Sequence, residues 1–122
     1  METIAWVPQS LSMNDDSLPI YSTLASDTDL QEIVRLFVDE MPERTAVFET
    51  CLVSGNLTEL VRAAHQLKGA AGSYGFAELS AAAAALELTI KSEHGQEAIT
   101  AATANLIARC RRATALPAPT ES

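Results

Sequence analysis

Apolar residues recur at helical spacing along most of the chain. From Leu30 the pattern runs through Ile33, Val34, Phe37 and Met41 and continues at Val47, Phe48, Cys51 and Leu52, the spacing of one helix face. Ser26, Asp27 and Thr28 supply N-cap oxygens ahead of it, and Asp29 and Glu32 suit the positive end of its dipole. Pro42 lies inside the pattern and either kinks the helix or splits it, with Pro42 in the first turn of a second segment. Gly55 ends the run. Asn56, with Glu59 three residues on, caps a helix whose stripe is Leu57, Leu60, Val61, Ala64, Leu67 and Ala71; it stops near Tyr74 or Gly75. Phe76, Leu79, Ala83, Leu86 and Ile90 then alternate in threes and fours, a bundle seam. The alanine run Ala81–Ala85 suits close helix approach. Gly95 breaks the chain before a last helix with Ile99, Ala102, Leu106, Ile107 and Cys110 inward, and Arg109, Arg111 and Arg112 suit its C-terminal end.

No strand period interrupts this. Four substantial amphipathic helices with short connections predict an all-α fold, an antiparallel up-down-up-down four-helix bundle, with a short N-terminal helix at Ile20–Ala25 packing Ile20, Tyr21 and Leu24 on the core. The expected organisation is an irregular extension over residues 1–18, the bundle over 19–113, and a polar, proline-bearing, disordered tail over 114–122. Trp6, in the extension, is either pinned to the domain or free of it.

Composition narrows the class. The chain has 122 residues, 48% hydrophobic and 5% aromatic, enough apolar matter for the core of one domain, and its alanine and leucine content favours helix. A formal net charge of -8 repels phosphate backbones and anionic lipid, so neither nucleic acid nor membrane is an expected partner. No apolar run approaches the ~20 residues of a membrane span. The N-terminus has neither the basic nor the apolar region of a secretory signal, which points to a cytoplasmic protein. Cys51 and Cys110 lie in helical context without a CxxC, as small buried residues of a reducing compartment; a Cys51–Cys110 disulfide is the disfavoured alternative. Met1 and the polar C-terminus favour a free-standing chain, and a monomer is expected.

The chemistry concentrates in "AAHQLKGAAGSYGF", Ala63–Phe76. On the helical wheel His65 falls roughly 110° from the centre of the apolar stripe, at about 100° per residue, on the flank of the bundle. Arg62, Lys68, Gly69 and Gly72 share its face. A glycine inside a helix costs about 1 kcal/mol relative to alanine. Taken singly, these are an edge histidine and glycines that serve packing or an early C-cap. Taken together, they suit phosphoryl transfer. A free imidazole, with a pKa of about 6.5, is a good nucleophile near neutral pH, and phosphoryl transfer is mostly positioning and charge stabilisation. Missing side chains at Gly69 and Gly72 would clear the approach to Nε2. Lys68 would hold the phosphoryl oxygens, and Arg62 would add charge from the other side. The lysine precedes the glycines, so "LKGAAGSYG" is not a nucleotide loop. His65 and His94 are far apart, with no metal-ligand spacing. No cofactor and no metal are expected.

These residues resemble the signature of histidine phosphotransfer (HPt) domains, the carriers of multistep two-component phosphorelays. The signature's histidine, the lysine three residues on and the adjacent glycine correspond to His65, Lys68 and Gly69, and its later glycine to Gly75. "LFVDEMPERTAVFETCLVSGN" is similar to the family's second helix, and the likeness covers roughly Pro19 to Ala113. It implies that Nε2 of His65 takes a phosphoryl group from an aspartyl phosphate on a receiver domain and passes it to another receiver. The metal ion and acidic pocket for that step belong to the receiver. The implied partners are receiver domains and hybrid sensor kinases, and the chain is a covalent carrier rather than an enzyme.

Orientation of the imidazole needs a second group. If the next helix runs antiparallel about a turn at Gly75 and Phe76, Glu87 faces His65, where the family often has a polar residue bonded to the active histidine. Glu87 is then either an acceptor for Nδ1–H or a solvated glutamate. Lys91, one turn further, either reaches the phosphoryl group or is an ordinary surface lysine. Gln66 points to solvent, Ser73 closes the helix, His94 is an exposed loop residue, and Tyr74 is either partner-facing or structural. Two other functions compete. One is a non-phosphorylated helical adaptor for receivers or kinases, against which the intact His-x-x-Lys-Gly argues. The other is an autonomous enzyme such as a phosphatase, against which the lack of a metal site or second acid–base pair argues.

Overall fold

The structure is a computed structural model that describes residues 18–118. Trp6, the rest of residues 1–17, and residues 119–122 lie outside the described residues. Among the described residues the chain forms β1 (Ile20–Tyr21), α1 (Gln31–Asp39), α2 (Met41–Ser54), α3 (Leu57–Ser73), α4 (Ala77–Lys91), α5 (Gln96–Arg112) and β2 (Ala113–Thr114).

Local chemistry explains most of the boundaries. Pro42 splits the first long pattern in two: α1 stops at Asp39 and Pro42 sits in the first turn of α2, where a residue without an N–H leaves nothing unpaired. Gly55 closes α2 in the left-handed region, at φ 74 and ψ 18. Asn56 then caps α3, its side chain accepting from the Glu59 backbone N–H at 3.2 Å. The Glu59 carboxylate turns to Arg62 at 3.5 Å. Three arginines at the end of α5 reach carboxylates on other helices, Arg109 and Arg112 to Glu78 and Arg111 to Glu49.

Helices α2 and α4 both pack against α3 and α5, which makes a bundle of four, and α1 lies against α2 and β2. The core is Val34, Phe37, Phe48, Leu60, Leu67, Phe76, Leu79, Leu86 and Leu106, each 2% exposed or less. Ala64, Ala71 and Ala83 are also fully buried, and their small side chains let α3 and α4 approach. Contacts across that seam fall in opposite order along the two helices: Gly72 and Lys68 meet Ser80, and His65 meets Glu87. Both cysteines are free and buried.

The structure corrects the sequence expectations at three places. The segment Ile20–Ala25 is not a helix. Ile20 and Tyr21 are extended and pair in parallel with Ala113 and Thr114, so Thr114, expected in a disordered tail, belongs to the fold, and turns follow Tyr21. A six-residue segment is too short to offset helix nucleation, and the Ser22 hydroxyl competes for the backbone. It donates to the Tyr74 carbonyl at 2.6 Å and accepts from the Leu24 N–H at 2.9 Å. Second, Ser26–Thr28 do not cap α1, which begins at Gln31 behind Leu30 with no side-chain cap; Asp27 instead accepts from the Asp29 N–H at 2.9 Å. Third, Ile33 and Val47 are exposed rather than inward, while Thr103 is fully buried with its hydroxyl donating to the Ile99 carbonyl at 2.8 Å.

Candidate functional site

On α3, His65 and Lys68 each follow a fully buried residue, Ala64 and Leu67. One helical step of about 100° turns them from the core to the edge of the α3–α4 seam. On α4, Glu87 follows the fully buried Leu86 but leans into the seam, and its side chain is only 8% exposed. The His65 side chain, by contrast, is 65% exposed.

Three donors converge on that carboxylate. Lys68 Nζ lies 2.9 Å from Oε1. Lys91 Nζ lies 2.9 Å from Oε2, and His65 Nδ1 is 3.0 Å from the same oxygen. A buried carboxylate is costly unless it is paired and hydrogen-bonded, and here both oxygens are. The hydrogen bonds from Lys68 and then Lys91 hold the Glu87 carboxyl at about 2, below its ordinary 4.5; burial opposes them and the His65 contact adds to them. Glu87 is therefore ionised at neutral pH. An ionised carboxylate only accepts, so Nδ1 of a neutral His65 carries the ring hydrogen and Nε2 keeps the lone pair. Among the described residues Nε2 has no hydrogen-bond partner.

The glycines of this stretch differ. Among the described residues a Cβ on Gly69 would meet nothing within 4 Å, so the space beside His65 is open and no described packing asks for a glycine there. A Cβ on Gly72 would lie 3.5 Å from Ser80 Oγ, an ordinary contact with α4. Gly75 has a φ of +85, where only glycine is unstrained. It ends the helix so that α4 can return alongside α3.

The structure thus brings His65, Lys68, Glu87 and Lys91 into one cluster with Gly69 beside it. Arg62 stands one turn away, engaged with Glu59. Tyr74 is half-buried and stacks on Phe37 with ring centroids 5.0 Å apart. Sequence reasoning missed Ser80, whose hydroxyl donates to the Lys68 carbonyl at 2.9 Å. The signal was available: Ser80 stands opposite Gly72 by the same mirror relation that pairs Glu87 with His65. It also missed the Lys68–Glu87 pair, because Ala84 is the residue opposite Lys68. Thr23, Lys68, Gly72, Ser80, Ala81 and Ala84 line one shallow groove, in which small side chains leave Lys68 free to swing towards Glu87. A cleft lined by Val38, Met41, Pro42, Glu49, Cys110 and Arg111 holds none of the cluster.

A family model described as Hpt domain matches residues 32–116. The chain belongs to the Hpt domain family. No curated protein and no solved structure matches it. Hpt domains act in histidine phosphotransfer in two-component signalling, as phosphocarrier modules rather than catalytic enzymes, and they interact with receiver domains and kinases. No described helix of this Hpt domain is long and apolar enough to cross a membrane.

Proposed function

We propose that His65 is the phosphoryl-carrying residue of this Hpt domain. Its Nε2 attacks the aspartyl phosphate of one receiver domain and later yields the phosphoryl group to a second receiver, so the chain works as an intermediate of a phosphorelay. The phosphotransfer unit runs from residue 19 through β2, and the carrier acts as a cytoplasmic monomer. One observation carries the reading: the exposed imidazole has Nδ1 bonded to the ionised Glu87, which leaves Nε2 as the nucleophile on the open side. Lys68 and Lys91, already within the cluster, neutralise the phosphoryl oxygens, and Arg62 strengthens the positive field at the edge. The bare surface at Gly69 lets a receiver bring its phosphoaspartate in line with Nε2, and Gly72 keeps the next turn low.

The test is transfer from a phosphorylated receiver domain. The wild-type chain is expected to take up label that is acid-labile and base-stable, and to lose it when an unphosphorylated second receiver is added. His65→Ala is expected to take up none. Label that persists in His65→Ala, or that never forms on the wild type, overturns the reading.

A further inference from the structure

We propose that the cleft between α2 and α5 is the docking site of this chain's own N-terminal segment, with Ile4–Pro8 seated in it and Trp6 as the anchor. The cleft holds no residue of the His65 cluster, so its occupant is independent of the phosphoryl-carrying role.

The cleft has a volume of about 520 Å³, within the ~300–1,000 Å³ of sites that enclose small organic groups. Its lining decides what kind of occupant it fits. Val38, Met41, Pro42, Ala46, Cys110 and Ala113 supply apolar surface. The polar lining is already engaged. Arg111 reaches Glu49 at 3.0 Å, and Thr45 Oγ1 donates to the Pro42 carbonyl at 3.0 Å. The cleft therefore offers a polar ligand no unpaired charge, whereas an apolar occupant gains by removing its walls from water.

The path of the chain points to the occupant. β1 and β2 are parallel, with Ile20 opposite Ala113 and Tyr21 opposite Thr114. Followed backwards from Ile20, the chain runs towards the end of α5. Leu18 keeps that direction, its carbonyl accepting from Arg112 Nε at 2.7 Å. Ala113, opposite Ile20, and Arg111, next to Arg112, both line the cleft. Residues 1–17 thus join the fold at the wall of the cleft.

Their composition fits it. Ile4, Ala5, Trp6, Val7 and Pro8 make the longest apolar run in residues 1–17 and include the single tryptophan of the chain. Pro8 biases Val7 towards extended backbone, the form that lies along a cleft. An indole is a large apolar anchor with few rotatable bonds. Residues 9–17 connect Pro8 to Leu18 and reach up to about 30 Å when extended, enough to turn the run back onto a cleft that starts beside Leu18. Asp15 and Asp16 precede Leu18 by two or three residues, and the arginines at that entry, Arg111 and Arg112, have the opposite charge. A tether this short sets an effective concentration on the order of millimolar, which favours the chain's own segment over that of a second copy.

Trp6 is the only tryptophan, so its fluorescence reads the segment alone. In the native full-length chain its emission is expected to lie to the blue of the urea-unfolded chain, with weaker quenching by acrylamide, and neither reading should change on dilution. Ala46 is exposed at the rim of the cleft, and Ala46→Arg puts a charged side chain there with a residue that helices accept. That variant is expected to move both readings to their unfolded-chain values while its circular dichroism stays that of the folded chain. Trp6→Ala, which leaves the cleft untouched, is expected to lower the urea midpoint of the wild type but not that of Ala46→Arg, since the two changes remove the same contact. A native Trp6 quenched as in urea overturns the proposal, and so does an unchanged midpoint in Trp6→Ala. A protected Trp6 that stays protected in Ala46→Arg is docked elsewhere and also overturns it. Protection that is lost on dilution overturns it in favour of exchange between two copies of the chain.

Discussion

Gly75 and Gly69 lie close together in sequence, at the turn end and the site end of the same helix seam, and the chain uses them in opposite ways. A Cβ on Gly75 would lie 2.5 Å from Ser22 Oγ, 2.8 Å from Thr23 Oγ1 and 3.0 Å from Thr23 N. The residue also has positive φ and gives its carbonyl to the Thr23 N–H at 3.0 Å. The chain's own packing requires that glycine. Around Gly69 there is open space, and the backbone there is ordinary α-helix. A helix that carries glycine where alanine would fit gives up about 1 kcal/mol, and no contact among the described residues returns it. The contrast separates a glycine that the chain's own packing requires from one that the described packing does not, and the proposed docking of a receiver at His65 would give the second its use.

The comparison can be broken by substitution. Gly75→Val combines a strained φ with backbone crowding and is expected to lose about 3 kcal/mol or more of stability, read from urea unfolding; an unchanged midpoint would show that the N-terminal segment gives way freely. Gly69→Leu is expected to fold with stability within about 1 kcal/mol of wild type while transfer from a phosphorylated receiver slows by at least about tenfold, about 1.4 kcal/mol in barrier. Wild-type transfer rates in that variant would remove the clearance role. Gly69→Ala is expected to gain up to about 1 kcal/mol in the same unfolding measurement, and a loss would show packing that the geometry does not contain.

The site end also has a pH signature that the turn end lacks. The folded-state pKa of Glu87 lies below its ordinary value, at about 2 against 4.5. An unfolded chain therefore binds this proton first as pH falls. The Glu87 contribution is fully present above about 4.5 and is lost as pH drops towards about 2. Wild type is thus expected to lose stability over that window relative to Glu87→Gln, and parallel acid-unfolding curves for the two would contradict the three-donor cluster.

How much of this was legible in the sequence depended on distance along the chain. His65, Lys68 and Gly69 stand within one helical turn or so, and their shared face follows from the helical period alone. Glu87 was reachable because the turn at Gly75 sets which residues of α3 and α4 face each other. The Lys68–Glu87 ion pair was not, since it depends on how far a long flexible side chain swings over a groove of small residues. Nor was the pairing of Ile20–Tyr21 with Ala113–Thr114, because two-residue strands carry no period and their partners lie at opposite ends of the domain.

By itself, then, the sequence determined the helices, their breaks at Pro42, Gly55, Gly75 and Gly95, and the residues that stand beside His65. All of these follow from backbone propensity and from a repeat that closes every few residues. Only the tertiary structure decided that the N-terminal segment is extended, that Thr103 is buried while Ile33 and Val47 are exposed, and that Glu87 gathers two lysines and the imidazole on one carboxylate. Burial and long-range hydrogen bonds depend on which element covers which, and no local pattern encodes that.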